Sequence, residues 1–229
     1  MNKHIVKGYD EDLKGLRTLI RHMGLLTIEQ IRKATQSILE RNDVLAHEVI
    51  DSDHEINILE TKVDELAVRI LALRQPLASD LRMVVAALKI SNQVERIADY
   101  AVNIAKRTLI LDEMPPFPEV EGLSTLVKIP KLMIEGALTA FETYDVNLAL
   151  EVWHMDHKVD EFYNTYLRKI FDEMIADPKN VGPCTQLLFA AKNIERIGDQ
   201  AQNIAEAVYT MVTGKSFNES DILKNAPKV

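Results

Sequence analysis

Apolar residues recur at three- and four-residue intervals along most of the chain, the period of an α-helix with one buried face. Leu13, Leu16, Ile20, Met23, Ala34 and Ile38 keep this spacing, which predicts a first helix from about Asp10 to Arg41 before a turn at Asn42 and Asp43. A second is predicted from about Val44 to Leu73 on Ile56, Leu59, Val63, Leu66 and Ile70, and it ends at Gln75 because Pro76 excludes its predecessor from the α region. The third begins near Ser79 and carries Ile97, Ala101, Ile104 and Ala105 to about Leu111.

Three prolines at 115, 116 and 118, followed by Gly122, cannot continue any helix, so residues 112–123 read as a linker. Beyond it the same period predicts helices from about Ser124 to Glu142, Val146 to Ala176 and Gly182 to Thr213. The expected fold is therefore all-α, two tandem three-helix bundles related by pseudo-twofold symmetry and built from six long helices. Its units are 1–111 and 124–214, followed by a flexible tail over 215–229.

The two halves also resemble each other in sequence. Residues 94–105 align with 194–205 at an offset of 100, and residues 45–54 align with 148–157 at an offset of 103. The matches include polar positions that helix packing does not require, so duplication explains them better than chance.

Charge narrows the partners. With 27 Lys and Arg against 35 Asp and Glu, a net charge of −8 repels a nucleic-acid backbone, and nucleic acid is excluded as an expected partner. Cys184 is the single cysteine, which rules out an intrachain disulfide or a thiolate zinc cage. No segment has the roughly 18 apolar residues of a membrane span and none resembles a signal peptide, so a cytoplasmic protein with at most peripheral membrane contact is expected.

The duplicated polar positions carry the candidate chemistry. Glu95 and Asp99 lie four residues apart on one helical face, and Glu195 and Asp199 repeat the pair. Like charges at this spacing repel, so the pattern calls for a compensating cation. Arg96 and Arg196 project about 100° away around the helix and are poor partners for the adjacent glutamates. Asp53, Asn57, Glu60 and Asp64 form a polar line on the second helix, and Asp156 and Asp160 begin its counterpart. Antiparallel packing would place these lines opposite the duplicated pairs, giving two oxygen-rich clusters for Fe, Zn, Mn or Mg. Arginine bridging or simple solvation is the competing explanation for any single acid pair.

A metal-dependent, di-iron-like helical-bundle enzyme is the alternative, because Asp51 with His54 and Glu151 with His154 approximate the Glu-x-x-His spacing of such bundles. It weakens on alignment, since the better offset pairs His54 with His157. His47, His54, His154 and His157 are then expected to be surface or supporting residues. No phosphate loop or nucleophilic triad supports catalysis, and no enzymatic activity is expected.

Glu95-Arg-Ile-Ala-Asp99 and Glu195-Arg-Ile-Gly-Asp199, the segment Arg74 to Arg82, and Asp156 to Asp160 together resemble the PhoU family, in order and over nearly the whole chain. The resemblance implies a homodimeric negative regulator of the phosphate-starvation response that modulates phosphate uptake. Its implied partners are the ATPase subunit of a phosphate ABC transporter and a sensor histidine kinase. It also implies metal clusters on Glu95, Asp99, Glu195 and Asp199, with Asp156 and Asp160 opposite. Asp53 and Asn57 stand in the corresponding place of the first repeat, Asn57 where a carboxylate would complete the pattern.

Overall fold

A computed structural model describes residues 2–115, 121–218 and 220. Its helices are α1 (Asn2–Glu40), α2 (Asp43–Arg74), α3 (Ala78–Asp112), α4 (Gly122–Leu126), α5 (Lys128–Thr143), α6 (Val146–Ala176) and α7 (Val181–Thr213). A 3-10 turn, Pro178–Asn180, precedes α7. Two of these bounds differ from the sequence reading. Helix α1 starts at Asn2 rather than near Asp10, and its early turns are tied down where the Tyr9 hydroxyl donates to Asp80 Oδ2 at 2.8 Å, at the start of α3.

The single helix expected over 124–142 is interrupted at Val127. Pro130 has no N–H to offer the Leu126 carbonyl and its ring crowds that oxygen, so the chain restarts as α5 with Pro130 in the first turn. The amides of Val127 and Lys131 still reach the carbonyls of Leu123 and Val127 at 3.1 Å, which keeps the two pieces nearly continuous.

Local chemistry sets the other boundaries. The Asn42 side chain accepts from the Leu45 amide at 3.0 Å, and Asp145 accepts from the amides of Asn147 and Leu148 at 2.9 and 3.1 Å, so α2 and α6 are capped in the same way. Helix α7 ends on Gly214, whose φ of 71° is the left-handed cap that glycine adopts without a Cβ penalty. Carbonyls in the last turns of α3 and α7 are met by arginines: Arg41 donates to Leu111 and, just past the helix, to Met114, and Arg82 Nε donates to Met211 at 2.9 Å.

Helices α1, α2 and α3 form one bundle, and α4 with α5, α6 and α7 form the other. The bundles join through α3 and α7, which run antiparallel: Arg82 reaches Met211, Arg196 lies over the Tyr100 ring at 5.9 Å, and Arg107 donates to Gln186 at 3.1 Å. Each of these helices meets its own bundle and the other's joining helix, so burial extends beyond a single stripe. Alanines 86, 87, 98, 101 and 105 of α3, with 190, 191, 201 and 205 of α7, are fully or almost fully buried and permit the close approach. The core around them is continuous, from Leu16 and Ile20 through Ile97 and Ile104 to Phe141 and Ile197.

Beyond α7, Phe217 packs against Trp153 and Tyr209, with ring centroids 5.3 Å from each. Residues 219 and 221–229 of the expected tail, and 116–120 of the expected linker, lie outside the described residues.

Candidate metal centres

Each bundle carries an acidic seam between its second and third helices, α2 with α3 and α6 with α7. The apolar faces of these helices are buried on Val63, Ile56, Val94 and Ile97 in one repeat and on Val159, Ile194 and Ile197 in the other. Positions one turn around from those faces are thereby held at the edge of the core. Asp53, Glu95, Asp156, Glu195 and Asp199 are partly buried there, while Asp99 and Asp160 are exposed at the rim, and the partial burial makes their mutual repulsion consequential.

In the first seam, Glu95 is pushed up to about 7, first by burial and then by Asp99, Glu60 and Asp53, with Arg96 only partly offsetting them. Asp53 is also raised, by burial and then by Asp99. The Asn57 amide donates to Asp53 Oδ2 at 3.1 Å, and Asn92 reaches Glu60 at 3.5 Å. Asn57, the residue departing from an all-carboxylate set, therefore sits inside the seam as a hydrogen-bond donor to its neighbour.

In the second seam, Asp156 is pushed up to about 6 by burial, then by Asp199, Asp160 and Glu195. Asp199 is raised by burial and then by Glu195, against the pull of Lys192 and Arg196. Gly198 helps to create this density, because a Cβ there would meet Val159 Cγ1 at 3.3 Å and Asp156 Oδ1 at 3.4 Å. Its counterpart in the first repeat is Ala98.

All eight residues singled out from the sequence therefore fall on the two seams, four on each. Lys192 was not foreseen. It donates to Glu195 Oε1 at 2.6 Å and stands 5.5 Å over the Tyr163 ring, whereas the equivalent residue of the first repeat is Asn92. The signal was present in the sequence, a lysine three residues before the glutamate on the same face. Glu195 keeps its other oxygen, Oε2, buried with no hydrogen-bond partner.

These donor sets suit hard or borderline cations in their chemistry: oxygen ligands, excess negative charge and an unsatisfied buried oxygen. Among the described residues, no three His, Cys, Asp or Glu converge closely enough to hold one ion, so coordination would require side-chain rotation, with Glu195 Oε2 free of Lys192, which holds Oε1. His54 and His154 are exposed, and the His154 ring rests against Trp153 at 5.0 Å. His157 and Glu161, 3.7 Å apart, are also exposed. The histidines of the di-iron alternative thus face solvent.

Two three-helix bundles joined through their third helices, each with a carboxylate seam against its second, define a duplicated helical-bundle protein with one acidic centre per repeat. A PhoU domain model matches residues 20–108 and again 123–208. A Zymomonas mobilis relative, a phosphate-specific transport system accessory protein PhoU homolog, is 44% identical over 216 residues, covering 94% of this chain and 91% of the relative. The crystal structure of PhoU from Pseudomonas aeruginosa superposes with a TM-score of 0.86 at 35% identity, covering 90% of this chain and all of that one. That of the phosphate transport system regulatory protein PhoU from Streptococcus pneumoniae gives 0.85 at 27% identity, covering 92% and 99%. The chain belongs to the PhoU family.

Proposed function

We propose that the protein is an accessory regulator of phosphate transport that restrains the phosphate-starvation response and modulates phosphate uptake. It acts by contact, as a homodimer in the cytoplasm, between the ATPase subunit of a phosphate ABC transporter and a sensor histidine kinase. The observation that carries this reading is the twofold match to the PhoU domain, with the duplicated Glu-Arg-Ile-x-Asp motifs in both matched segments. No helix among the described residues is long and apolar enough to cross a membrane, so docking to transporter and kinase would be peripheral.

The acidic seams supply the chemistry of the proposal. Glu95, Asp99, Asp53 and Asn57 would hold metal in the unit 1–111, and Glu195, Asp199, Asp156 and Asp160 in the unit 124–214. A bound divalent or trivalent ion, Fe, Zn, Mn or Mg, supplies positive charge that relieves carboxylate repulsion and stiffens each helix pair. The chain's own contribution is to hold Asp53 and Glu95, and Asp156, Glu195 and Asp199, partly buried beside the exposed Asp99 and Asp160, so that the protein without metal is biased toward taking up a cation or a proton.

Deleting the gene and measuring alkaline phosphatase in phosphate-rich medium tests the regulatory reading. Constitutive expression that a plasmid copy reverses supports it, and unchanged repression in the deletion strain would overturn it.

A further inference from the structure

A cleft of about 520 Å3 opens where α3 and α7 run past each other, and none of the eight candidate metal-ligating residues lines it. Lys89, Gln93 and Arg96 line it from α3, facing Asn203 and Glu206 of α7. Lys89 and Arg96 are seven residues apart, two helical turns, so they share one face with Gln93 between them. Among the described residues neither cation has an ion-pair or hydrogen-bond partner, and Gln93 Oε1 is buried without one. The facing carboxylate is already engaged, since Glu206 Oε1 accepts from the Trp153 indole at 3.1 Å.

The duplication provides an internal comparison. At the offset of 100, Lys89 corresponds to Phe189, Gln93 to Asn193 and Ala207, on the wall of the cleft, to Arg107. On that other side the Arg107 guanidinium lies over the Phe189 ring at 5.1 Å and donates to Gln186, and the Asn193 amide donates to the Phe189 carbonyl at 2.7 Å. There the arginine, the ring and the two amides engage one another, although Arg107 Nε stays buried without a hydrogen-bond partner. On the Lys89 side, alanine replaces the arginine and a lysine replaces the ring, leaving a concave wall with two cations that make no hydrogen bond or ion pair among the described residues. On a chain of net charge −8, two cations gathered on one wall of a polar cleft, offset in part by Glu206 and, for Arg96, by Glu95, are selective rather than generic.

We infer that this cleft binds a small phosphorylated anion. An ammonium and a guanidinium on one face suit phosphoryl oxygens, the Gln93 and Asn203 amides suit the remaining polar atoms, and the second Glu206 oxygen can accept from a hydroxyl or amino group of the ligand. The volume lies in the range of small-molecule sites and exceeds the needs of one inorganic phosphate. This site is distinct from the metal reading and does not depend on it.

The test is a binding titration of the full-length protein in EDTA, which removes any phosphate held through a metal. Inorganic phosphate, pyrophosphate and ATP serve as probes, and sodium sulfate as the ionic control. Trp153, the single tryptophan, hydrogen-bonds the wall residue Glu206, so its fluorescence reports occupancy alongside calorimetry. Saturable binding of at least one phosphorylated probe is expected, and which probe binds identifies whether the free ion, an anhydride or a nucleotide is the source. Lys89→Gln and Arg96→Gln, both at exposed positions that leave the core intact, should each weaken it about tenfold or more. Arg196→Gln, the equivalent change on the other side, should leave it within about twofold. Absence of binding by all three probes would overturn the inference, as would binding that survives both cleft variants or falls equally in Arg196→Gln.

Discussion

Replacing Glu95 with glutamine should stabilise the metal-free protein above neutral pH and leave it unchanged in mild acid. Glu95 sits at about 7 in the fold against an ordinary 4.5, because burial and the neighbouring acids Asp99, Glu60 and Asp53 disfavour its charge. The folded state therefore holds this proton more tightly than the unfolded chain. Its stabilising effect is complete below about 4.5, falls as pH rises through the window and is lost above about 7. Each pH unit of such a window corresponds to about 1.36 kcal/mol, so the full window would carry about 3 kcal/mol. Solvent reaches this half-exposed group, and screening reduces the expected effect to about 1–2 kcal/mol.

Glutamine has nearly the same shape and no charge, so Glu95→Gln removes the loss. At about 2–4 °C per kcal/mol for a protein of this size, its melting temperature in EDTA should match the wild type at about pH 4 and exceed it by roughly 2–8 °C at about pH 8. Circular dichroism melts across that range are the assay. A variant that is no more stable at the upper pH, or whose gain is the same at every pH, would refute the reasoning, because the effect would then not come from ionisation. With saturating divalent cation the sign should reverse, since the variant has given up a ligand oxygen.

Other expectations follow from the packing. Phe141→Ala removes a ring that is 1% exposed at the centre of the second bundle, and should cost about 3–5 kcal/mol in urea unfolding. Asn42→Ala and Asp145→Ala each remove the side-chain cap of a helix, and each should cost about 1 kcal/mol in the same assay. Gly198→Val forces side-chain atoms toward Val159 and Asp156, so it should lower the melting temperature and weaken metal uptake at the second seam while sparing the first. Equal losses of metal at both seams would contradict that local argument.

Much of this architecture was legible because helices announce themselves by period. Ile56, Leu59 and Val63, or Ile97, Ala101 and Ile104, mark the buried faces directly, and all of them are buried. The acidic seams were legible for a related reason: Glu95 with Asp99 and Glu195 with Asp199 are displaced from those faces by a fixed rotation, so the helices that bury the one must hold the other at the rim. The break at Val127 escaped because apolar spacing continues across it, although Pro130 marks it. The Lys192–Glu195 pair escaped because its lysine lies outside the repeated residues, where the first repeat has Asn92. The α3/α7 cleft could not be read at all from either helix alone. It depends on which residues of one helix meet which of the other, and on Ala207 facing Lys89 and Gln93 across an antiparallel contact that no helical period reports.

Metal content measured by mass spectrometry bears most directly on the role of the seams. The protein should be purified without chelator or affinity metal and compared with a folded Glu95→Ala, Asp99→Ala, Glu195→Ala, Asp199→Ala variant. One or more equivalents of a single metal per repeat in the wild type, lost in the variant, is the expected result. No metal in either protein after reconstitution with Fe, Zn, Mn and Mg would contradict it and return the duplicated carboxylates to a proton-binding or arginine-bridged role.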